Sequence, residues 1–450
     1  MLEEQYSVKS PTINMDSLKS IIDQKEHALS QKVSWLNRQY DGTNITWQDV
    51  RNELRDNDIA IEIVSFKGLL TNASDMYYYA YVIKKKSVAP KLIPLFRMAT
   101  SRSINYDRLA EQIWGNSVLQ EELQNVENIY FSTSGLLNTI GIEYLPITEN
   151  MNINDKYNLY RLSSTRELCL RREKTRVKNA YLYGGLDYNC TQDNSQDDNT
   201  EDVEQHGLSR SVLESLVLRG DFEQLKGSEQ EVQQIRTEMA NKAIECVTYM
   251  GSYGTETSLK KASGTPINII HLSTHGMFVP IENDSISLSQ NFRFMISDED
   301  TLVDEETKAL SRSFIVMSGG NNLIHRNEIP QGQEDGILTA SEISHLFFPY
   351  LDLVVLSACQ TALGTLDSEG VYGLQRGFKK AGANTILMTL DKVDDEATKI
   401  LMVEFYRNLM NGKTKRQSLK DAQKYLREYD NGKYDNPRYW ASFIMLDGLD

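Results

Sequence analysis

Two side chains stand where a reaction could be run. His275 and Gly276 follow the apolar run INIIHLST (267–274), and Cys359 follows a second, LDLVVLSA (351–358). An imidazole and a thiol delivered by the ends of two apolar strands form a Cys-His dyad. The imidazole keeps the thiol ionised or takes its proton, and the thiolate attacks a carbonyl carbon to give an acyl-enzyme. Gly276 lets the backbone turn with its N–H exposed, and the Cys359 N–H lies at the turn out of its strand. These two groups are the candidate oxyanion donors. Taken singly, a cysteine after an apolar strand is ordinarily a buried small hydrophobe and a lone histidine is ordinarily structural. Joint placement at two strand ends gives the pair its weight. The other thiols lack such a setting: Cys169 lies in a charged stretch, Cys190 opens an acidic loop and Cys246 ends a helical pattern. His271 is expected to be buried within its strand, and His206, His325 and His345 fall in loops or a helix with no evident partner.

The elements that must hold this dyad read as alternating helices and strands. NAYLYGGLDY is an apolar strand ending in Gly-Gly, Gly227 to Cys246 a helix, Ile267 to Thr274 a buried strand, and Ile337 to Phe347 a helix. Leu351 to Ala358 is the next buried strand, GVYGLQRGFKKAG a helix, and Asn384 to Leu390 a third strand. Helices follow over Asp395 to Leu409 and Ser418 to Tyr429, and Arg438 to Leu446 closes the sheet. Continuous apolar strands separated by helices predict a mostly parallel sheet covered on both faces, with ligands beyond the carboxyl ends of the strands. Upstream, DIAIEIVSF, MYYYAYVI and NIYFST are β-branched and aromatic runs that predict a smaller α/β segment with no nucleophile and base of its own. Asp16 to Tyr40 has the spacing of one amphipathic helix. Residues 190–207 carry six acids and no Lys or Arg, so they are expected to be exposed.

Composition excludes several classes. With 450 residues, two or three domains are expected, and 40% hydrophobic content supplies real cores. The 48 Lys and Arg against 63 Asp and Glu leave a net charge of −15, the wrong sign for wrapping a phosphate backbone, so no direct nucleic-acid partner is expected. No run reaches the roughly 18 apolar residues of a membrane helix, and the first thirty residues carry acids where a signal peptide would be apolar. A soluble chain in the reducing cytoplasm fits the four scattered cysteines. No cofactor or metal is expected, since GxxxxGK[ST] and HExxH are absent and the acidic stretches at Asp193 to Glu204 and Ser297 to Glu306 do not follow a calcium loop.

HLSTHG (271–276), EDGILTASEI (334–343), VVLSACQTALG (354–364), EGVYGLQRGFKKAGANTILMTL (369–390) and NPRYWASFIMLDG (436–448) resemble, in order, the motifs of CHAT-domain proteins. YFSTSGLLNTIGIEYLP and YRLSSTREL resemble the segment preceding that core. The resemblance implies an α/β, caspase-like cysteine peptidase of the caspase, gingipain and separase clan, with His275 as base and Cys359 as nucleophile. The chain thus divides into an N-terminal helical segment (1–45), a smaller, non-catalytic α/β lobe (46–172), which the resemblance implies is a degenerate caspase-like lobe, and the peptidase domain (173–450). The resemblance also implies an upstream tetratricopeptide-repeat or sensor module, a protein substrate and a role in regulated proteolysis such as bacterial defence. The family commonly has a tryptophan where TLDKVDD places Asp391, which would change the wall of the pocket.

In relatives such as separase an aspartate of the matching segment binds a substrate arginine, and Asp395 fits that position best. Asp391 and Asp394 complete the candidate substrate-binding set, although acids in the first turn of a helix are also favourable as caps. With arginine preferred, Arg210 and Arg219, in a softer segment after the acidic loop, are the candidate self-cleavage positions. The alternative is a non-catalytic scaffold that keeps the fold.

Overall fold

The computed structural model describes residues 44–67, 75–99, 105–148, 151–170, 176–190, 210–279, 309–325, 334–357, 364–367 and 370–449. The expected helix at 16–40, the acidic stretches at 193–204 and 297–306, His206 and Cys359 lie outside these residues.

The apolar and β-branched runs form one eleven-stranded sheet: β1 (Asp58–Lys67), β2 (Asp75–Lys84), β3 (Lys91–Ala99), β4 (Asn128–Ser132), β5 (Asn158–Arg161), β6 (Asn179–Leu186), β7 (Glu245–Gly251), β8 (Ile269–Leu272), β9 (Leu353–Leu356), β10 (Thr385–Thr389) and β11 (Phe443–Leu446). Their spatial order is β3-β2-β1-β4-β5-β11-β10-β9-β8-β6-β7. Pairing is antiparallel at β1–β2, β2–β3 and β10–β11 and parallel elsewhere. The flanking helices are α1 (Trp47–Glu53), α2 (Tyr106–Ile113), α3 (Arg210–Arg219), α4 (Ser228–Ala240), α5 (Glu256–Lys260), α6 (Ala340–His345), α7 (Leu374–Ala381), α8 (Asp395–Met410) and α9 (Lys415–Glu428). Among the described residues no helix is long and apolar enough to cross a membrane.

Successive strand residues face opposite ways, and the two faces collect different helices. Ile270, Leu272, Val354 and Leu356 pack with Leu259 of α5, Ile343 of α6 and Phe378 of α7. Ile269, Leu353, Val355 and Leu387 pack with Val232 and Ile235 of α4, Phe405 of α8 and Leu419 of α9. Thus the strands that carry the candidate site are buried on both sides, as their unbroken apolar character requires. The upstream strands have a core of their own, built from Ile59, Ile61, Ile129 and Phe131 against Ile113 and Trp114.

Several elements differ from the sequence expectation. β11 does not close the sheet; it lies inside it, antiparallel to β10 and parallel to β5, and so covers an edge that would otherwise be left unpaired. The expected helix 227–246 ends at Ala240, and ECVTYMG pairs as β7 beside β6, which puts Cys246 on a strand. Ile337–Thr339 is a strand, paired with Ser313–Val316, before Thr339 caps α6 with Glu342 completing the box. Gly370–Gly373 pairs with Gly364–Asp367 in a hairpin, and α7 begins only at Leu374.

EDGILTASEI also builds a partly buried charge cluster around the fully buried Glu256. Lys260 Nζ lies 3.1 Å from Glu256, 2.9 Å from Glu334 and 2.9 Å from Glu342, so an ammonium fills the centre of these carboxylates. Burial raises the Glu256 carboxyl well above its ordinary range, aided by Asp335, and burial pushes Asp335, which shares a hydrogen bond with Glu256, up to about 6. Both groups hold protons more tightly folded than unfolded. Stability is therefore highest below about pH 4 as far as these groups decide it, and falls as pH rises towards 6. Asp335→Asn should flatten that slope in urea unfolding measured at pH 4, 5 and 6; an unaltered slope would assign the titration elsewhere.

Candidate active site

β8 and β9 are neighbours and parallel, with Leu272 opposite Leu356. Ser357 N–H donates to the Leu272 carbonyl at 2.9 Å, so the two chains leave the sheet side by side. His275 is the third residue after Leu272, and Cys359 is the third after Leu356. His275, Ser357 and Asp395 line one cleft, open to solvent, together with Glu231.

The imidazole of His275 is held by its surroundings. Its Nε2 lies 2.7 Å from the Glu223 carbonyl oxygen. A carbonyl can only accept, so Nε2 carries the proton and the neutral ring keeps its lone pair on Nδ1. Phe222 and Tyr188 flank the ring, with centroids 5.3 Å and 5.2 Å away, and the Arg219 guanidinium lies 4.0 Å from the Phe222 centroid. Burial holds the imidazole below its ordinary range, the Glu223 bond opposes this, and the Arg219 charge adds to the depression. At neutral pH the ring is consequently a neutral base.

Gly276 opens a short strand, Gly276–Phe278, paired antiparallel with Ser313–Val316 and opposite Ile315. Val316 N–H donates to the His275 carbonyl at 2.8 Å, which makes His275/Val316 a bonded pair. By the alternation of an antiparallel ladder, the Gly276 N–H then points away from that partner strand. Gly276 does not take a positive φ and begins a strand where a turn was expected.

The three acids separate. Asp394 caps α8, accepting the Ala397 N–H at 2.9 Å. Asp391 is exposed and accepts the neighbouring Lys392 N–H at 2.7 Å. Asp395 alone lines the cleft, and its carboxyl is raised by burial and then by Asp394 and Glu231. Arg210 and Arg219 are the first and last residues of α3, which packs Val212 and Leu216 inward, so this segment is helix and not the softer stretch expected.

Residues 106–448 match the CHAT domain. The chain belongs to the CHAT-domain family. Among curated relatives, this CHAT chain is 26% identical over 208 residues to tetratricopeptide repeat protein 28 of Mus musculus, covering 46% of this chain and 8% of that protein. It is 32% identical over 110 residues to tetratricopeptide repeat protein 28 of Homo sapiens, covering 24% and 4%. It therefore spans less than a tenth of the length of either. Among solved structures it is similar to the Arg specific cysteine proteinase gingipain R, with TM-score 0.40 and 9% identity over 76% of this chain and 66% of that one. It is also similar to the Saccharomyces cerevisiae separase-securin complex, with TM-score 0.37 and 13% identity over 78% and 18%.

The CHAT fold also recruits residues that the sequence reading passed over. Glu231 of α4 is buried beneath the cleft with His271, 2.8 Å from its Nε2, and Tyr406 Oη lies 3.3 Å from His271 Nδ1. His271 is buried as expected, but it has partners. Likewise, His325 Nε2 pairs with Asp221 at 3.1 Å, and His345 Nδ1 lies 2.8 Å from the Ser341 carbonyl. α4 sits close to the cleft because β6 ends in Gly184 and Gly185: a Cβ at Gly184 would come within 2.6 Å of the Ser228 carbonyl, and Gly185 takes φ +61°. That Gly-Gly pair, legible in the sequence as a strand end, was the available signal for the close approach. Nothing comparable marked Phe222 or Glu223.

Proposed function

We propose that this CHAT-domain chain is a cysteine endopeptidase that cleaves a protein substrate through an acyl-enzyme, with Cys359 as nucleophile and His275 as base. The reading rests on the Leu272–Leu356 register, from which both residues stand three positions on at the carboxyl ends of adjacent strands. His275 Nδ1, left unprotonated by the Nε2–Glu223 bond, takes the thiol proton; the thiolate attacks the scissile carbonyl; the protonated ring then gives its proton to the leaving amine. The Gly276 and Cys359 N–H groups are assigned to the oxyanion.

Asp395 is assigned to an arginine, or less readily a lysine, before the scissile bond, with Glu231 adding negative potential behind it. A guanidinium offers a carboxylate two parallel charge-assisted bonds where an ammonium offers a point charge. Fluorogenic peptides differing only at that residue test this: arginyl substrate should be turned over fastest, and Asp395→Ala should lower its kcat/KM by roughly ten- to a hundredfold. Efficient turnover of an aspartyl or leucyl peptide with none of the arginyl one rejects the assignment. Self-cleavage after Arg210 or Arg219 requires the ends of α3 to unwind first and is therefore a secondary event. An upstream tetratricopeptide-repeat or sensor module is the proposed partner, in keeping with the names of the relatives. We place the activity in regulated proteolysis, of which bacterial defence is one setting.

A further inference from the structure

A second, partly open cavity lies where β5 meets the body of the peptidase-like half. Arg416, Leu419, Lys420 and Gln423 line it from one face of α9, at i, i+3, i+4 and i+7, and Tyr160 and Arg161 line it from β5. Its cationic groups are unequally satisfied. Arg161 is engaged by Glu143 through Nε at 2.9 Å and Nη2 at 2.6 Å. Arg416 donates from Nη2 to Asn158 Oδ1 at 3.0 Å, but its Nε and Nη1 are buried without an acceptor among the described residues. The same guanidinium lies 5.0 Å from the Tyr160 ring centroid, which fixes its place at the wall. One turn along, Lys420 Nζ donates to the Asn154 carbonyl oxygen at 2.5 Å. Burial and then the Arg416 charge lower the Lys420 ammonium, against the pull of Asp155 and Asp421. Glu143, the carboxylate lining the cavity, is already committed to Arg161.

Buried N–H groups with no acceptor carry an unrelieved desolvation cost, and a charged oxygen acceptor relieves it best. We propose that this cavity is a binding site for a small oxyanion, either free phosphate or the phosphate or carboxylate group of a metabolite, held by Arg416 and Lys420. Bound there, the anion ties α9 to β5 and so joins the two halves of the chain. This site is independent of the peptidase reading.

The test is thermal unfolding and isothermal titration of the full chain with inorganic phosphate, glycerol phosphate and succinate, against sodium chloride at matched ionic strength. At least one anion should bind saturably and raise Tm by roughly 2–4 °C; which one does so distinguishes phosphate from carboxylate. The effect should vanish in Arg416→Gln, weaken in Lys420→Gln and persist in Lys424→Gln, whose side chain is 71% exposed on the same helix. Absence of a saturable response in the wild-type chain overturns the proposal, as does an equal response in Arg416→Gln. If that variant does not fold, an undiminished response in Lys420→Gln overturns it instead.

Discussion

His275→Ala is expected to lower peptide hydrolysis by roughly 10²–10⁴-fold, and Cys359→Ala to abolish it. Under the proposed mechanism, loss of the ring removes the base that takes the thiol proton, whereas the strand beneath is fixed by Ile269, Ile270 and Leu272, each fully buried. Hydrolysis of an arginyl peptide and covalent labelling by a thiol probe should fall together in His275→Ala, with the folding transition unchanged. Equal, slow labelling of all four cysteines in both proteins would favour the non-catalytic scaffold. The pH profile supplies a second readout. Because burial depresses the imidazole, His275 stays an unprotonated base until the pH drops below its ordinary value of 6.5, and the acid limb of kcat/KM should lie below that value. Phe222→Ala, by admitting water to the ring, should move the limb upward.

The largest effect on stability is expected at Arg161. This side chain is 4% exposed and its partner Glu143 is 7% exposed. Besides the two bonds to Glu143, it donates to the Ile140 carbonyl at 2.6 Å and to Thr133 Oγ1 at 3.2 Å. Arg161→Met strands a buried carboxylate and a carbonyl, which typically costs about 3–5 kcal/mol. Urea unfolding should show this as a lower midpoint, and Arg161→Met combined with Glu143→Leu should regain much of the loss, because no lone charge then remains. A loss below about 1 kcal/mol would mean that the pair behaves like a surface salt bridge.

What the sequence disclosed follows from where long-range packing mattered least. INIIHLST and LDLVVLSA are apolar without alternation, which only a strand buried on both faces needs, and their chain ends carried His275 and Cys359 in plain view. The β7 strand was hidden because ANKAIEC continues the helical pattern of α4; its pairing with β6, not local propensity, ends that helix. Nothing in SEQEVQQ sets Glu231 apart from its polar neighbours. Its burial depends on His271 and Tyr406 arriving from positions 40 and 175 residues away, which no local spacing encodes. Asp395 stood beside two other acids of the same type, and only the start of α8 distinguished them, by spending Asp394 on the cap.

The insertion of the C-terminal strand between β10 and β5 has a practical consequence for dissecting the molecule. A truncation stopping near residue 435 would remove the seam and leave two ribbons with bare flanks, each able to recruit another copy of itself. Such fragments should therefore precipitate or dimerise on expression, and mapping activity by progressive deletion from that terminus would report on solubility long before it reached the chemistry.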